Sequence, residues 1–227
     1  PGAPFNVLRS EIAEGTGTAG VPAEQVNAVT PLVDASQIYG SDLSRQQALR
    51  TLEGGRLKAQ PGPDGVDLPP DAAQVFGSAA GATGAEGFTA GDLRAQENSG
   101  LAALHALWIN EHNHWADRFA AAHPGWTDEQ VFQAARAAVE ALVQRISYEA
   151  FLPLLIGDAI APFDGHDPEA DPRLVNEFST AAFRFGHTAI PDRLTFLAED
   201  GAASRPPAPL FEAFENDAIL EGAGASA

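Results

Sequence analysis

The chain has 227 residues, 44% of them hydrophobic, so it is long enough to bury a core as one domain or a large part of one. Its formal net charge of −18 excludes non-specific nucleic-acid binding as a first assumption, disfavours anionic membrane surfaces and favours cation binding. The absence of cysteine excludes disulfides, thiolate metal sites and cysteine nucleophiles. No apolar run reaches the length of a membrane span, and no signal peptide is visible. Because the chain starts at Pro1 and contains no methionine, we interpret it as a piece of a longer polypeptide.

The first segment with a chemical pattern is residues 30–41, TPLVDASQIYGS, which follows a mixed, glycine-containing loop over residues 1–29. In an extended backbone the side chains of every second residue lie on the same side, and here these residues are Thr30, Leu32, Asp34 and Ser36. Two hydroxyls, a carboxylate and the intervening carbonyls are oxygen donors of the kind that calcium prefers. An ordinary strand or turn with polar residues facing water fits the same pattern. One carboxylate is too little charge for a tight site, so another would have to come from elsewhere.

Two segments of different character come next. Residues 43–53, LSRQQALRTLE, have good helix propensity and predict a short helix. Residues 54–93 are rich in Gly, Pro and Ala and predict a long surface excursion. Strong elements resume at once, so we do not predict a domain boundary there and treat residues 1–227 as one partial domain.

Residues 94–123 predict one long helix whose polar stripe indicates a site. At 100° per residue the stripe contains Arg94, Glu97, Leu101, His105, Trp108 and His112. A cation, a carboxylate and two imidazoles are unusual on a face that packs against a core. The cluster Glu111-His112-Asn113-His114 also suggests zinc, but zinc-binding helices place histidines at i and i+4, and these two project to opposite sides. Packed or surface residues satisfied by hydrogen bonds are the alternative.

A second long helix is predicted over residues 128–151. Thr127 and Gln130 form a capping-box pattern at its start, and Pro153 and Gly157 are predicted to end it. Its predicted apolar side consists of Val131, Ala134, Ala135, Ala138, Leu142, Val143, Ile146 and Phe151. The loop that follows contains His166, which we expect to be solvated.

The last helix is predicted over Asp171–Ile190, with Asp171 as its N-cap and Pro172 at the first helical position. Arg184 and His187 would then share one face near its end. So placed, they could hold a metal-centred anionic cofactor, with the imidazole on the metal and the guanidinium on a carboxylate. A half-buried helix that ends in a capping histidine fits the same residues.

The remaining chain predicts an irregular segment at SRPPAP, residues 204–209, and a short amphipathic piece over residues 210–222. There are no internal repeats. No stretch alternates long enough to make a sheet, so the predicted fold class is mainly α.

Five segments, in this order, resemble blocks of the animal-type haem peroxidase (peroxidase–cyclooxygenase) family. Residues 25–41, QVNAVTPLVDASQIYGS, resemble its calcium loop, and residues 90–97, AGDLRAQE, resemble its distal arginine and haem-linked glutamate. Three further segments of the chain are similar to family blocks, namely LWINEHN at 107–113, YEAFLPLLIG at 148–157 and AFRFGHT at 182–188. Each block is weak alone, whereas five in the family's order are specific. The resemblance implies a helical haem peroxidase domain, truncated at both ends.

The resemblance assigns a role to each matching residue. His187 matches the proximal iron ligand, Arg184 the arginine at a haem propionate, and Arg94 the distal arginine that polarises bound peroxide. Glu97 matches the carboxylate that forms an ester to a haem methyl. The calcium ligands match Thr30, Leu32 through its carbonyl, Asp34 and Ser36. The implied cofactors are therefore haem b, ester-linked through Glu97, and Ca²⁺.

These residue types suit peroxide chemistry. Cleavage of the O–O bond needs a base that moves a proton and a fixed positive charge where negative charge develops, which Arg94 would supply. His187 would donate electron density to the iron, and its other ring nitrogen should be held by an acceptor. The oxidised cofactor would then oxidise halides or small phenolic donors.

Some family positions have no match here. The family's distal histidine and its adjacent aspartates precede the calcium loop and would lie before Pro1, and its asparagine partner of the proximal histidine would lie after Ala227. We therefore expect the piece to be inactive in isolation. Asn98 follows Glu97 where some members carry a haem-linked methionine, so we expect no third link. The cyclooxygenase branch has a radical tyrosine at the position of Arg184, which argues against an oxygenase of that type.

Three functional hypotheses follow from the sequence, in this order. The first is a haem-dependent peroxidase that acts on hydrogen peroxide and a halide or small organic donor, secreted by family resemblance. The second is a non-catalytic extracellular adhesion or matrix protein on a peroxidase scaffold. The third is a zinc-dependent hydrolase that uses residues 111–114. No nucleic acid and no membrane span are expected, and the sequence does not indicate the oligomeric state.

Overall fold

A computed structural model of the chain describes residues 10–62, 65–77 and 87–214, together with Asn216 and Ile219. The chain divides into two compact units, one with the chain up to Leu32 and Pro168–Ile190, the other with Val33–Asp167 and the chain from Pro191. Among the described residues the long elements are helices and the strands form only two-stranded sheets. The predicted mainly α class is confirmed.

In its described part, the unit that begins at Val33 contains six α-helices. They are α1 (Ser36–Tyr39), α2 (Leu43–Leu49), α3 (Ala72–Phe76), α4 (Ser99–Ala122), α5 (Asp128–Ile146) and α6 (Leu152–Ile156). Short 3-10 helices lie at Leu93–Gln96, Gly157–Ala159 and Leu210–Ala213, and a π-helical turn at Ser147–Phe151 joins α5 to α6. Strand β1 (Gln60–Pro61) pairs antiparallel with β2 (Asp67–Leu68), and β3 (Arg193–Leu197) pairs antiparallel with β4 (Ala203–Pro209).

The core of this unit lies where α4 and α5 pack together and α1 and α2 cover them. Its buried side chains are Ala35, Ile38, Tyr39, Leu49, Leu57, Ile109, Phe132 and Val139. Burial of each large apolar side chain in this set contributes about 1.5–3 kcal/mol to the free energy of unfolding. The segment predicted as a surface excursion over residues 54–93 contributes Leu57, Leu68 and Phe88 to the buried set, so in its described part it packs into the core.

Gly55 lies at the closest approach between the turn after α2 and the start of α5. Its φ is +70°, and a Cβ there would lie 2.5 Å from the backbone nitrogen of Phe132. Its N–H donates to the Asp128 carboxylate at 2.6 Å, and its carbonyl lies 2.9 Å from Nε2 of His112. One residue without a side chain therefore links α4 to the first turn of α5.

The capping box of α5 is confirmed, but two predicted helix boundaries are wrong. The Thr127 hydroxyl accepts from the Gln130 N–H at 3.3 Å, and the Gln130 side chain accepts from the Thr127 N–H at 2.9 Å. The helix ends at Ile146 and not at residue 151, because a π-helical turn follows. Pro153 opens α6 and does not end a helix, whereas Gly157, with a φ of +59°, ends α6 as predicted.

The predicted helix over residues 94–123 is two elements. Asn98 adopts an extended conformation and caps α4, its side chain accepting from the Leu101 N–H at 3.0 Å. Arg94 and Glu97 therefore belong to the preceding 3-10 turn and do not continue a stripe through His105 and His112.

The β3–β4 hairpin is absent from the sequence prediction. Residues 204–209, predicted as irregular, form part of β4, whose pairing with β3 contains an irregularity between Leu194 and Leu197. Prolines are tolerated in such an edge strand because the ladder does not need their N–H groups. The Arg205 guanidinium lies 3.4 Å from the centre of the buried Phe196 ring.

The unit that contains residues 168–190 has, among its residues from position 10 onward, one short α-helix, α7 (Asn176–Thr180), followed by a 3-10 helix at Ala182–Thr188. The Asn176 side chain donates to the Ala23 carbonyl at 3.2 Å and to the Glu24 carboxylate at 2.8 Å. The prediction of a helix from Asp171 is wrong. The Asp171 carboxylate instead accepts from the Arg173 backbone at 3.1 Å and from its guanidinium, and α7 starts after Val175.

Candidate functional site

Arg184 and His187 lie on the 3-10 helix at Ala182–Thr188. Residues three apart eclipse each other in this type of helix, so the two side chains leave the same face. Both residues are exposed, and within the part of the chain that the structure describes neither side chain makes a hydrogen bond or ion pair. A ring nitrogen and a guanidinium are therefore free to meet an external group on one face.

Arg94 and Glu97 lie on the 3-10 turn at Leu93–Gln96 and at its end, also three apart. The Arg94 guanidinium makes two bonds to the Asp92 carboxylate, from Nε to Oδ1 at 2.9 Å and from Nη2 to Oδ2 at 2.7 Å. These bonds raise the pKa of Arg94, and the nearby Glu97 carboxylate adds to the rise. The same bonds lower the pKa of Asp92. Arg94 is therefore a fixed positive charge, with a side chain that is 71% exposed.

The predicted calcium ligands divide between the two units. Thr30 and Leu32 lie in one, where the Thr30 hydroxyl accepts from the Leu32 N–H at 3.0 Å. Asp34 and Ser36 lie in the other, where the Asp34 carboxylate accepts from the Ser36 N–H at 3.0 Å. Ala35 between them has a φ of +56°, so the backbone is not uniformly extended and the alternation argument fails at this point.

His105 and His112 of the predicted stripe belong to the core. His112 is fully buried, and its ring nitrogens lie 2.9 Å from the Tyr39 hydroxyl and 2.9 Å from the Gly55 carbonyl. Burial lowers its pKa from 6.5 to about 4. Burial also lowers the pKa of His105, whose Nδ1 lies 2.7 Å from the Leu101 carbonyl.

The zinc interpretation of residues 111–114 gains no support from this geometry. Both ring nitrogens of His112 are engaged, while His114 is exposed. Within the described ranges, no group of three or more His, Asp or Glu residues could hold a metal ion. The alternative of histidines satisfied by hydrogen bonds describes His112.

Asp92 contacts the predicted site residue Arg94 and is absent from the sequence prediction. It caps the 3-10 turn by accepting from the Arg94 N–H at 2.8 Å and binds the Arg94 side chain as well. The sequence does contain a signal for this contact, because an aspartate two residues before an arginine at the start of a helix is typical of a capping residue. The predicted helix started at residue 94 and so left Asp92 outside the element that it caps.

Comparison with known proteins identifies the family. The profile of the animal haem peroxidase family matches residues 3–226, and the chain belongs to this family. It is 32% identical to peroxinectin A of Dictyostelium discoideum over 208 residues, which are 88% of this chain and 38% of the relative. It is 36% identical to lactoperoxidase of Mesocricetus auratus over 209 residues, which are 85% of this chain and 29% of the relative. The chain thus spans well under half the length of these relatives.

The structural comparison agrees. Peroxidase A from Dictyostelium discoideum superimposes with a TM-score of 0.82 at 29% identity, over 96% of this chain and 44% of that one. A fatty acid alpha-dioxygenase from Arabidopsis thaliana has a TM-score of 0.60 at 21% identity, over 86% of this chain and 34% of that one, which shows a common fold alone. No helix in the described ranges is both long enough and apolar enough to cross a membrane.

The residues present fit the haem that the family implies. An imidazole and a guanidinium on one exposed face match an iron ligand and a propionate partner. Arg94 and Glu97 supply a fixed cation and a carboxylate one 3-10 turn apart. Each pair, taken by itself, has donor chemistry that suits a haem group.

Proposed function

We propose that the whole protein is a haem-dependent peroxidase that reduces hydrogen peroxide and oxidises halide or small phenolic donors. The observation that carries the proposal is the placement of Arg184 and His187, three residues apart on one exposed face of a 3-10 helix in a member of the animal haem peroxidase family. When bound, haem supplies the redox chemistry that these side chains lack.

In this proposal His187 binds the iron through a ring nitrogen, and Arg184 binds a propionate through its guanidinium. An arginine suits a carboxylate because its planar fork donates two parallel hydrogen bonds. These two residues would hold the cofactor at two separate points, His187 at the iron and Arg184 at a propionate.

Arg94 acts on the peroxide in this proposal. A positive charge already fixed before the reaction stabilises the negative charge that develops on the leaving oxygen, without reorganisation during the step. The ion pair with Asp92 supports this assignment, because it keeps the guanidinium charged and oriented. Glu97 would hold the haem through an ester to a haem methyl; the new C–O bond would replace a methyl C–H bond, and the substrate hydrogen peroxide would take up the two electrons.

The proposal includes calcium at Thr30, Leu32, Asp34 and Ser36, and an extracellular location. The support for calcium is the oxygen-rich composition of this segment and its resemblance to the family's calcium loop. The extracellular location rests on the family resemblance, and the acidic composition is compatible with it.

The test is haem uptake by the full-length protein, followed by its Soret absorption. His187→Ala should lose stoichiometric uptake and the Soret band of the bound cofactor. His166→Ala removes another exposed histidine, from a loop outside the proposed site, and should leave both unchanged. Equal uptake by the two variants would overturn the proposal. A protein that binds haem through His187 but does not consume peroxide would favour the adhesion or matrix alternative, and zinc without iron would favour the hydrolase.

A further inference from the structure

Asp92 holds Arg94 by three contacts. One carboxylate oxygen accepts from the Arg94 backbone N–H at 2.8 Å and from Nε at 2.9 Å, and the other accepts from Nη2 at 2.7 Å. The Asp92 side chain is 21% exposed, against 71% for Arg94. The aspartate is thus the anchored partner, and the arginine is the one that extends from it.

The backbone at Asp92 is attached to α1. The Asp92 N–H donates to the Gln37 carbonyl at 3.0 Å, and the Gly91 N–H donates to the Ile38 carbonyl at 3.1 Å. Ile38 and Tyr39 of α1 are buried in the core, at 1% and 0% exposure. The segment that positions Arg94 therefore rests on a rigid support.

Position 91 has no room for a side chain, so this attachment requires glycine there. A Cβ at position 91 would lie 2.2 Å from the Ser36 carbonyl oxygen and 2.3 Å from the Gly40 nitrogen. Both are backbone atoms of α1 or its C-cap, so a side chain could enter only if the helix or the segment moved. The two pieces of backbone fit only as long as residue 91 is glycine.

The same helix begins at the predicted calcium ligands of this unit. Ser36 is its first residue, and the Asp34 carboxylate accepts from the Ser36 N–H at 3.0 Å. Ala35 between them is 1% exposed and left-handed, with a φ of +56°. Asp34 and Ser36 thus occupy the start of the element whose carbonyls hold Gly91 and Asp92.

We propose that Asp92 is the positioning residue of Arg94, and that the contact of Gly91 and Asp92 with α1 couples the predicted calcium ligands Asp34 and Ser36 to that arginine. The proposal rests on the proposed function for the role of Arg94. A cation bound at Asp34 and Ser36 fixes the first turn of α1, α1 fixes the backbone of residues 91–92, and the Asp92 carboxylate fixes the guanidinium.

The chain contains a matched control for the local motif. Asp171 and Arg173 repeat the arrangement, with a carboxylate that accepts from the Arg173 N–H at 3.1 Å, from Nε at 2.8 Å and from Nη2 at 2.5 Å. Both of these side chains are exposed, and neither belongs to the proposed site. Asp171→Asn therefore removes the same type of ion pair at a position where the proposal expects no effect on the cofactor.

The first experiment measures fluoride affinity of the haem-loaded full-length protein, because a bound anion reports on a nearby hydrogen-bond donor. Asp92→Asn keeps one acceptor oxygen and loses the charge, and it should weaken fluoride binding about tenfold with haem content and Soret intensity unchanged. Asp171→Asn should match wild type. Wild-type affinity in Asp92→Asn combined with a clear loss in Arg94→Ala would overturn the positioning role alone. Wild-type affinity in Arg94→Ala would instead remove the proposed role of Arg94, and this inference with it.

The second experiment needs no turnover and follows the Arg94 Nε–H signal by nitrogen-15 NMR, with and without a calcium chelator. Removal of calcium by the chelator should shift this signal in the wild-type protein. In Asp92→Asn the signal should be the same with and without the chelator. Gly91→Ala should reproduce the shift of the chelated protein, whereas Gly125→Ala, where an added Cβ meets no atom within 4 Å, should not. The coupling would be overturned if Asp34→Asn abolishes calcium binding but the Arg94 signal of the wild-type protein is the same with and without calcium.

Discussion

The Tyr39 hydroxyl lies 2.9 Å from Nδ1 of His112 in the interior of the larger unit, with the ring of Phe132 packed against both. The other ring nitrogen of His112 lies 2.9 Å from the Gly55 carbonyl. A neutral imidazole satisfies both contacts, with one nitrogen donating and the other accepting. The histidine thus joins α1, α4 and the turn after α2 in one uncharged network.

The first prediction is a loss of stability in mild acid that depends on His112. Burial lowers the pKa of the folded imidazole from 6.5 to about 4, so between these values the unfolded chain binds a proton that the folded chain does not. The free energy of unfolding should therefore fall as the pH decreases from 6.5 to 4, by about 3 kcal/mol, and level off below that range. Urea unfolding at several pH values measures it.

The control for this prediction is a pair of histidine variants. His112→Gln should remove most of the pH dependence within this window and leave the part that His105 contributes, because burial lowers the pKa of His105 as well. His166→Gln, at an exposed loop position, should retain the full pH dependence. An unchanged pH slope in His112→Gln would mean that other groups bind the proton.

The second prediction concerns the buried Arg50, which is 2% exposed and bonds to Asp128 at 2.7 Å and to Glu129 at 2.5 Å. Its guanidinium also lies 3.9 Å from the centre of the Phe132 ring. The double variant Asp128→Asn, Glu129→Gln leaves this cation buried without a charged partner and should cost about 3–5 kcal/mol. Arg50→Met should cost about 1–2 kcal/mol, because the carboxylates it frees are partly exposed and regain water.

Chemical denaturation of the two variants measures the difference. Glu149→Gln provides the comparison, because it breaks an exposed pair with Arg145 and should cost at most about 0.5 kcal/mol. If the double variant and Arg50→Met lost equal amounts of unfolding free energy, the predicted difference between the buried cation and the partly exposed carboxylates would be contradicted.

The third prediction tests calcium. Asp34→Asn keeps an oxygen that can accept from the Ser36 N–H but loses the negative charge. Calcium at 100 times its Kd should stabilise the full-length wild-type protein by about 2.7 kcal/mol, and the variant should lose most of this gain while its calcium-free stability is retained. Thermal unfolding with calcium and with a chelator measures both, and Glu53→Gln serves as an exposed control. A calcium effect of equal size in Asp34→Asn would place the ion elsewhere.

The fourth prediction tests Arg94 in the haem-loaded protein. Arg94→Ala should slow the reaction with peroxide by about 10²–10³-fold, because it removes the fixed charge opposite the leaving oxygen. The Soret band should remain, since the proposed iron ligand is His187. Arg173→Ala removes an arginine with the same local ion pair and should react at the wild-type rate. Stopped-flow mixing with hydrogen peroxide measures the rate, and an unimpaired Arg94→Ala variant would exclude this role.

Local signals explain which helices could be predicted. The reciprocal bonds of Thr127 and Gln130 fix the start of α5 where the capping-box pattern places it. The boundary at Asn98 was missed because the helical spacing of the polar stripe continues across it, and a capping side chain interrupts the helix without interrupting that spacing. Asp171 resembled an N-cap, but its carboxylate binds Arg173, a neighbour that competes for the same oxygens.

The roles of the proposed site residues stay a prediction, but their local geometry can be compared with the expected one. The pair Arg184 and His187 shares a face through a 3-10 helix and not through the predicted α-helix, because residues three apart eclipse only in the tighter form. The β3–β4 hairpin was not visible, since its second strand contains prolines and its register is irregular. Such pairing depends on partners distant in the chain, which a local pattern does not contain.

Gly55 has a consequence for how related sequences can diverge. Its carbonyl and N–H join His112 to Asp128, and the space beside it is filled by the backbone of Phe132. A core side chain can be exchanged for another of similar volume if its neighbours repack, but no neighbouring change makes room for a Cβ against main-chain atoms. Position 55 is therefore confined to glycine for as long as α4, α5 and the turn after α2 keep this packing.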